Sequence, residues 1–348
     1  AARGRWCVYV QFRLRCYSRA DANRGSNIAI QTHSASKPSR YRQIAVAGVA
    51  ALAIALVAVA LVTDVTATLG DRRSDQRGDQ RGDQRGDQRQ SRTAPLTLHW
   101  EDRFTPAEKR KLERWLTETH SALEGLVGEL PFTTHLYMKR TSAGEPVPWA
   151  HTERSSIQGV HFHVDPSYPL SAFREDWTAA HELSHLVIPY VGQSNSWFAE
   201  GFASYMQYQV MHQMGVLSAD DMRRRYAKNL NKAASRYRHK TKPFASAAPT
   251  LRAERNYPTM YWGGAAFFLK ADTVLMQRGE PGLMAALKAY TSCCRMQDHS
   301  LAEVIHELDR LSGSNELSTL LARFKTRPGF PQHRGLDMGP SESTKAGG

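Results

Sequence analysis

Two histidines four residues apart, His181 and His185, stand in the segment WTAAHELSHLVI (177–188), with Glu182 directly after the first. On an α-helix that spacing puts both imidazoles on one face, about 6 Å apart, where two nitrogens can reach one tetrahedral cation. Glu182 falls about 100° round the helix from His181. From there it can face a water at the metal without binding the metal itself, as a general base requires. The competing reading is an amphipathic helix that happens to carry two histidines, and a third donor bears on the choice. The segment WFAEGFASY (197–205) offers Glu200, fifteen residues after His185. A helix, a reversal over 189–196 and a second helix would return Glu200 to the histidines. A carboxylate among Trp197, Phe198 and Phe202 is costly unless paired or bound to a cation. The alternative is a first-turn glutamate stabilised by the helix dipole. The expectation is one metal cation per chain, held by His181, His185 and Glu200. A second His-Glu-Leu, in IHELDR (305–310), has Asp309 and Arg310 where another ligand should stand, and is expected to be structural.

The elements that must position these residues can be read along 95–325. TPAEKRKLERWLTETHSALEGLVG predicts an amphipathic helix starting at Thr105–Pro106 and stopping near Gly128, with Leu112, Trp115, Leu116, Leu123 and Leu126 on its apolar face. FTTHLYMK (132–139) and GVHFHVDP (159–166) alternate like strands. His161 and His163 share a face of the second, which is expected to be an edge strand near the cleft rather than a second metal site. A helix from about Phe173 to Ile188 should carry the histidine pair and end at Pro189. Ser196 should cap a helix running to about Met214. Further helices are expected at about 218–236, 261–278, 281–291, 300–312 and 315–325, with a fraying tail over 326–348. Strands first and helices after imply an α+β domain with a small β-sheet subdomain and a helical C-terminal half.

HExxH followed by WFAEGFASY resembles the gluzincin zinc metallopeptidases, especially the M1-like clan with its Glu-Gly-Phe-Ala type second motif. The resemblance covers about residues 157–275. It implies a zincin-like fold, zinc bound by His181, His185 and Glu200, Glu182 as base, and a peptide substrate. The family also carries a Tyr-x-Lys-Gly-Ala segment whose tyrosine stabilises the oxyanion. Here YWGGA (261–265) puts Tyr261 in that place, with Gly263 where the lysine would be and Tyr257 as a fallback. No Gly-x-Met-Glu-Asn segment precedes HExxH, and the aminopeptidases use that segment to grip the free amine. The interval from His185 to Glu200 is shorter than in the larger enzymes, so a compact peptidase domain of the clan is the closer likeness.

Residues 44–62, IAVAGVAALAIALVAVALV, are uncharged and apolar or small, long enough as a helix to span roughly 28 Å. Lys37, Arg40 and Arg42 precede this run and Asp64 follows, so the positive-inside rule places the catalytic part outside the cytoplasm, in a bacterial periplasm or at the cell surface. A signal anchor and a cleaved signal peptide both fit, the latter with VTA (65–67) at its cleavage site. Before it, 1–43 is a basic cytoplasmic or unstructured segment, with nine Arg or Lys against Asp21 alone. After it, 63–94 contains the repeat DQRGDQRGDQRGDQRQ (75–90), which has nothing to bury and reads as a flexible spacer.

The formal charge of +13 belongs largely to that basic start; from residue 94 onward 30 basic face 26 acidic side chains, so nucleic acid is not an expected partner. The basic stretch 221–242 is a solvated helix face or a contact for an anionic surface. None of the four cysteines stands in a CxxC pair; the adjacent Cys293 and Cys294 could form a vicinal disulfide, with free or separately oxidised thiols the expectation. A second function class remains: a catalytically inactive peptidase-like domain that binds at the cell envelope through 221–242.

Overall fold

The computed structural model describes residues 6–10, 13–17, 96–279 and 282–340. The apolar run 44–62 and the DQRG repeat lie outside the described residues. Among the described residues no helix is long and apolar enough to cross a membrane. Strands β1 (Trp6–Val10) and β2 (Arg13–Tyr17) form an antiparallel pair.

The body begins with β3 (Leu96–Trp100) and crosses through α1 (Pro106–Val127) to β4 (Thr134–Arg140), which lies parallel to β3. Thr105 caps α1 in a reciprocal capping box with Glu108, Pro106 opens the first turn, and Gly128 ends the helix at φ 81°. Strand β5 (Trp149–Arg154) turns back on β6 (Gln158–Val164), giving the sheet order β3-β4-β6-β5 with only β5 antiparallel. The two-residue period sends Leu136, Met138, Val160, Phe162 and Val164 inward, where Trp115 of α1 meets Phe162 edge-on at 5.6 Å. The opposite face carries His161 and His163. GVHFHVDP is therefore an interior strand, and the edges are β3 and β5, the latter passed over by sequence patterning because WAHTER alternates only weakly.

Helices follow: α2 (Leu170–Glu175), α3 (Thr178–Ser184), α4 (Ser196–Gln213), α5 (Ala219–Arg236), α6 (Phe244–Ala253), α7 (Tyr257–Gln277), α8 (Leu283–Cys293), α9 (Leu301–Ser312) and α10 (Glu316–Thr326). The architecture is α+β, with a small mixed sheet ahead of a helical C-terminal half. Two helical expectations change. The helix expected over 173–188 is broken at Asp176, whose Oδ1 accepts the Thr178 N–H at 2.8 Å and restarts the chain as a separate short helix. Helix α6 was not anticipated because Pro249 sits inside it and removes one i→i−4 hydrogen bond.

The tail is less loose than its Gly and Pro content suggests. Phe330 packs against Tyr237 and Phe244, and Leu336 and Met338 lie partly buried on the core. Cys293 and Cys294 are joined in a disulfide, not separate thiols. The IHELDR segment is structural: Asp309 accepts the N–H groups of Leu317 and Ser318 at the start of α10, and Glu307 pairs with Arg310.

Helices α4 and α7 cross at glycine. A Cβ on Gly264 would overlap the Trp197 carbonyl, and one on Gly201 would overlap the Gly264 backbone. This close approach brings the N-terminal turns of α7 up to the HExxH helix.

Candidate metal centre

His181 stands inside α3 and His185 caps its C-terminal end, with ring centroids 5.0 Å apart and planes at 85°. The reversal over 189–195 returns the chain as α4, whose second turn presents Glu200. Its Oε2 lies 3.3 Å from His181 Nε2 and 3.5 Å from His185 Nε2. The three donor atoms fall within 4.8 Å of one another, and among the described residues this is the group that could hold a metal. The two histidines are buried, while about a quarter of the Glu200 side chain is exposed.

The residues fit a zinc ion on geometric grounds. Gln207, two turns further along α4, places its Oε1 2.9 Å from His181 Nδ1. An amide oxygen can only accept, so the proton sits on Nδ1 and the Nε2 lone pair points into the triad. His185 Nδ1 is buried with no hydrogen-bond partner, and its Nε2 faces Glu200. Two imidazole nitrogens and one carboxylate oxygen are the donors zinc takes, with a fourth position left open in catalytic sites.

Charges around the triad oppose one another. Burial pushes the Glu200 carboxyl up, but His185 and His181 outweigh it and hold the group far below the usual carboxylate range. Burial lowers the His181 imidazole, yet Glu200 and Glu182 raise it above its ordinary value. His185 stays low, because burial dominates and Arg154 adds to it.

Glu182 lies beside the triad and outside it, against the edge strand. The Thr152 hydroxyl of β5 is 2.7 Å from both Glu182 Oε2 and the Glu182 main-chain carbonyl. Tyr261, on the second turn of α7, stacks on His181 with ring centroids 5.9 Å apart. Burial, reinforced by the Glu200 and Glu182 carboxylates, pushes its hydroxyl well above the ordinary tyrosine value, so the phenol keeps its proton and remains a donor. Tyr257, the fallback, sits one turn earlier, its ring centroid 6.3 Å from that of Tyr261. Gly263 also has a reason here: Phe244 occupies the space a side chain at 263 would need.

Sequence reasoning missed the supporting residues Gln207, Thr152, Arg154 and Arg295. Arg154 Nη1 donates to the His185 carbonyl at 2.9 Å, and Arg295 Nε donates to the Leu186 carbonyl at 2.5 Å. Gln207 alone had a signal, lying seven residues after Glu200 and thus on the same face of α4. His161 and His163 do not join the metal centre: His161 stacks between Tyr137 at 4.3 Å and His151 at 4.6 Å, on the outward face of the sheet.

Residues 190–263, the stretch from the reversal before α4 to the start of α7, match the M61 glycyl aminopeptidase family. No curated protein matches the chain. Similar solved structures include an aminopeptidase N family protein from Idiomarina loihiensis, at 17% identity and TM-score 0.49, covering 66% of this chain and 44% of that one. An M1 zinc metallopeptidase from Deinococcus radiodurans aligns at 16% identity and TM-score 0.40, covering 68% and 49%. Leukotriene A4 hydrolase from Saccharomyces cerevisiae aligns at 11% identity and TM-score 0.47, covering 70% and 39%. The chain thus spans less than half the length of each of these structures. The His-His-Glu triad, with Glu182 beside it, is a candidate site for one zinc ion.

Proposed function

We propose that this chain is a zinc-dependent metallopeptidase that hydrolyses peptide bonds with Glu182 as general base and Tyr261 as oxyanion donor. The observation that carries the reading is the convergence of His181 Nε2 and His185 Nε2 on one Glu200 oxygen, with Glu182 beside them and free of the ligand set. A zinc ion held by these donors supplies Lewis acidity toward a carbonyl oxygen and toward water.

The remaining work falls to the chain's own groups. Strand β5, which pairs among the described residues with β6 alone, runs past Glu182 and can pair with an extended substrate backbone. Glu182, oriented by Thr152, takes the proton of the attacking water and returns it to the leaving amine. Tyr261, kept protonated, donates to the oxygen on which negative charge develops, an effect commonly worth about 3 kcal/mol. The apolar run 44–62, with arginines before it, supports a membrane-tethered or exported enzyme whose catalytic domain lies outside the cytoplasm. The basic stretch 221–242 supports contact with an anionic group, considered below.

Glu182→Gln should keep about one zinc per chain and lose peptide hydrolysis. Substantial residual turnover would remove Glu182 from the base role. Zinc binding by the wild-type chain with no turnover of any peptide pool would move it to the other class, a binding domain that has kept the peptidase fold.

A further inference from the structure

Beside the triad, between α5 and α7, lies a cavity of about 490 Å³ with His181 and Tyr261 in its wall. Three of its other lining residues are cations from one helix, Arg225, Lys228 and Lys232, and none of its twelve lining residues is acidic. The spacing explains the grouping. Positions 225, 228 and 232 fall on one face of α5, flanking the stripe of Met222, Tyr226, Leu230 and Ala233 that is buried in the core. The basic stretch is thus divided. Arg223 and Arg224 are neutralised on the outer surface by Asp220 and Asp221, at 2.7 and 2.6 Å. Among the described residues neither Arg225 nor Lys228 forms such a salt bridge; the Arg225 guanidinium instead lies 5.8 Å over the ring of Tyr208, a wall residue that also accepts a hydrogen bond from Asn229 at 2.9 Å. An aromatic wall that fixes one cation, in a cavity that also reaches His181 and Tyr261, describes a site for an anionic group of the substrate rather than a merely solvated helix face.

We propose that this cavity is a recognition pocket for a carboxylate of the peptide substrate, held by Arg225 and Lys228 with Lys232 behind them. The proposal rests on the peptidase reading for the nature of its occupant. A carboxylate can come from an Asp or Glu side chain near the cleaved bond or from the end of the peptide, and the chemistry of the pocket is the same for both. Cations on this side also make it ill-suited to a free α-amine, in keeping with the missing Gly-x-Met-Glu-Asn segment.

The test uses the full zinc-loaded chain and one short peptide sequence in which Glu is exchanged for Gln at each position in turn, each peptide made as the free acid and as the amide. Binding is measured by fluorescence anisotropy with Glu182→Gln, so that no peptide is consumed, and cleavage is measured with the wild-type chain. An acidic peptide should bind about tenfold tighter than its uncharged counterpart, as two charge-assisted contacts at a partly open site would give. That preference should vanish when Arg225→Gln and Lys228→Gln are added, and persist when Arg223→Gln and Arg224→Gln, the same charge change outside the pocket, are added instead. A preference that follows Glu assigns the pocket to a side chain; one that follows the free acid assigns it to the chain end. Equal binding of all forms, or a preference that survives loss of Arg225 and Lys228, would overturn the proposal. A chain that prefers acidic peptides yet cleaves none would overturn the peptidase reading and leave the pocket standing.

Discussion

Replacing Gln207 by Leu should weaken zinc binding without touching any ligand. In the folded chain the Gln207 amide oxygen, 2.9 Å from His181 Nδ1, fixes which imidazole nitrogen carries the proton and where the other points. Leu has nearly the same volume and no acceptor, so packing is conserved while the Nδ1–H loses its partner in a fully buried position. That loss costs about 1–3 kcal/mol of stability, but the cost is present with and without metal and largely cancels from the affinity. What does not cancel is the freedom the metal-free imidazole regains: it can flip or change tautomer and offer its N–H to Glu200, and zinc must reverse this. Partners of this kind are typically worth ten- to a hundredfold in metal affinity, or about 1.4–2.7 kcal/mol. Competition against a chromophoric chelator at pH 7 reads the change directly, with melting of the metal-free proteins to confirm that both variants fold. Gln207→Leu should lose ten- to a hundredfold, and Gln207→Glu, which restores an acceptor, should match or exceed the wild type. An unchanged zinc affinity in a folded Gln207→Leu chain would falsify the claim that Gln207 sets the orientation of His181.

Three further outcomes follow from the packing and charges. Gly264→Ala should destabilise the fold by about 1–3 kcal/mol, because its Cβ meets the Trp197 carbonyl at the α4–α7 crossing, and should lower activity more than zinc affinity by moving Tyr261; denaturant melts and metal titration separate the two. His120 is buried and its imidazole is depressed by burial to about 4 from 6.5, so the unfolded chain binds the extra proton first; stability held above pH 6.5 falls as the pH drops toward 4, by about 3 kcal/mol in all, and His120→Gln should flatten that part of the difference in urea melts across the window. Arg295→Met should cost about 2–3 kcal/mol and loosen zinc binding, since the buried guanidinium donates to the Leu186 carbonyl and, at 2.7 Å, to Gln158 Oε1; a melting temperature equal to the wild type would show that these contacts contribute nothing.

The triad was legible because its chemistry is encoded in short spacings. Four residues set His181 and His185 on one helical face, and the reversal to Glu200 needed only Pro189 and the polar run before Ser196. Helix α1 was legible for a different reason, since Thr105, Pro106, Glu108 and Gly128 each mark an end by local backbone chemistry. The edge strand was not legible. Which strand lies outermost depends on how β6 pairs with both β4 and β5, and that pairing is settled by long-range register rather than by the alternation of either strand. Thr152 and Arg154 reach the site only through that register. The division of the basic stretch followed from the same limitation: the charges are visible in the sequence, but the buried stripe that turns Arg225, Lys228 and Lys232 into the cavity beside His181 and Tyr261 is set by packing on α7.

The helix that carries the histidines is seven residues long, about two turns, and a helix of that length has no stability of its own in water. Its carbonyls would be the first to fray at the end where His185 sits. The structure meets this with groups from distant parts of the chain: Arg154 of the edge strand on the His185 carbonyl and Arg295, just past the disulfide of α8, on the Leu186 carbonyl. Both place positive charge at the C-terminal end of the helix, where the peptide dipoles favour it. The cost shows in the arginines themselves, since burial lowers Arg154 and brings Arg295 down to about 10. Two cations buried at some expense to hold two carbonyls make sense if the positions of those carbonyls matter. They matter because His185 is a donor of the triad whose Nδ1 has no partner, so that nothing behind the ring orients the Nε2 that faces Glu200. His181 is oriented through its side chain by Gln207, and His185 through its backbone by Arg154, so the two halves of one metal site are fixed by different means.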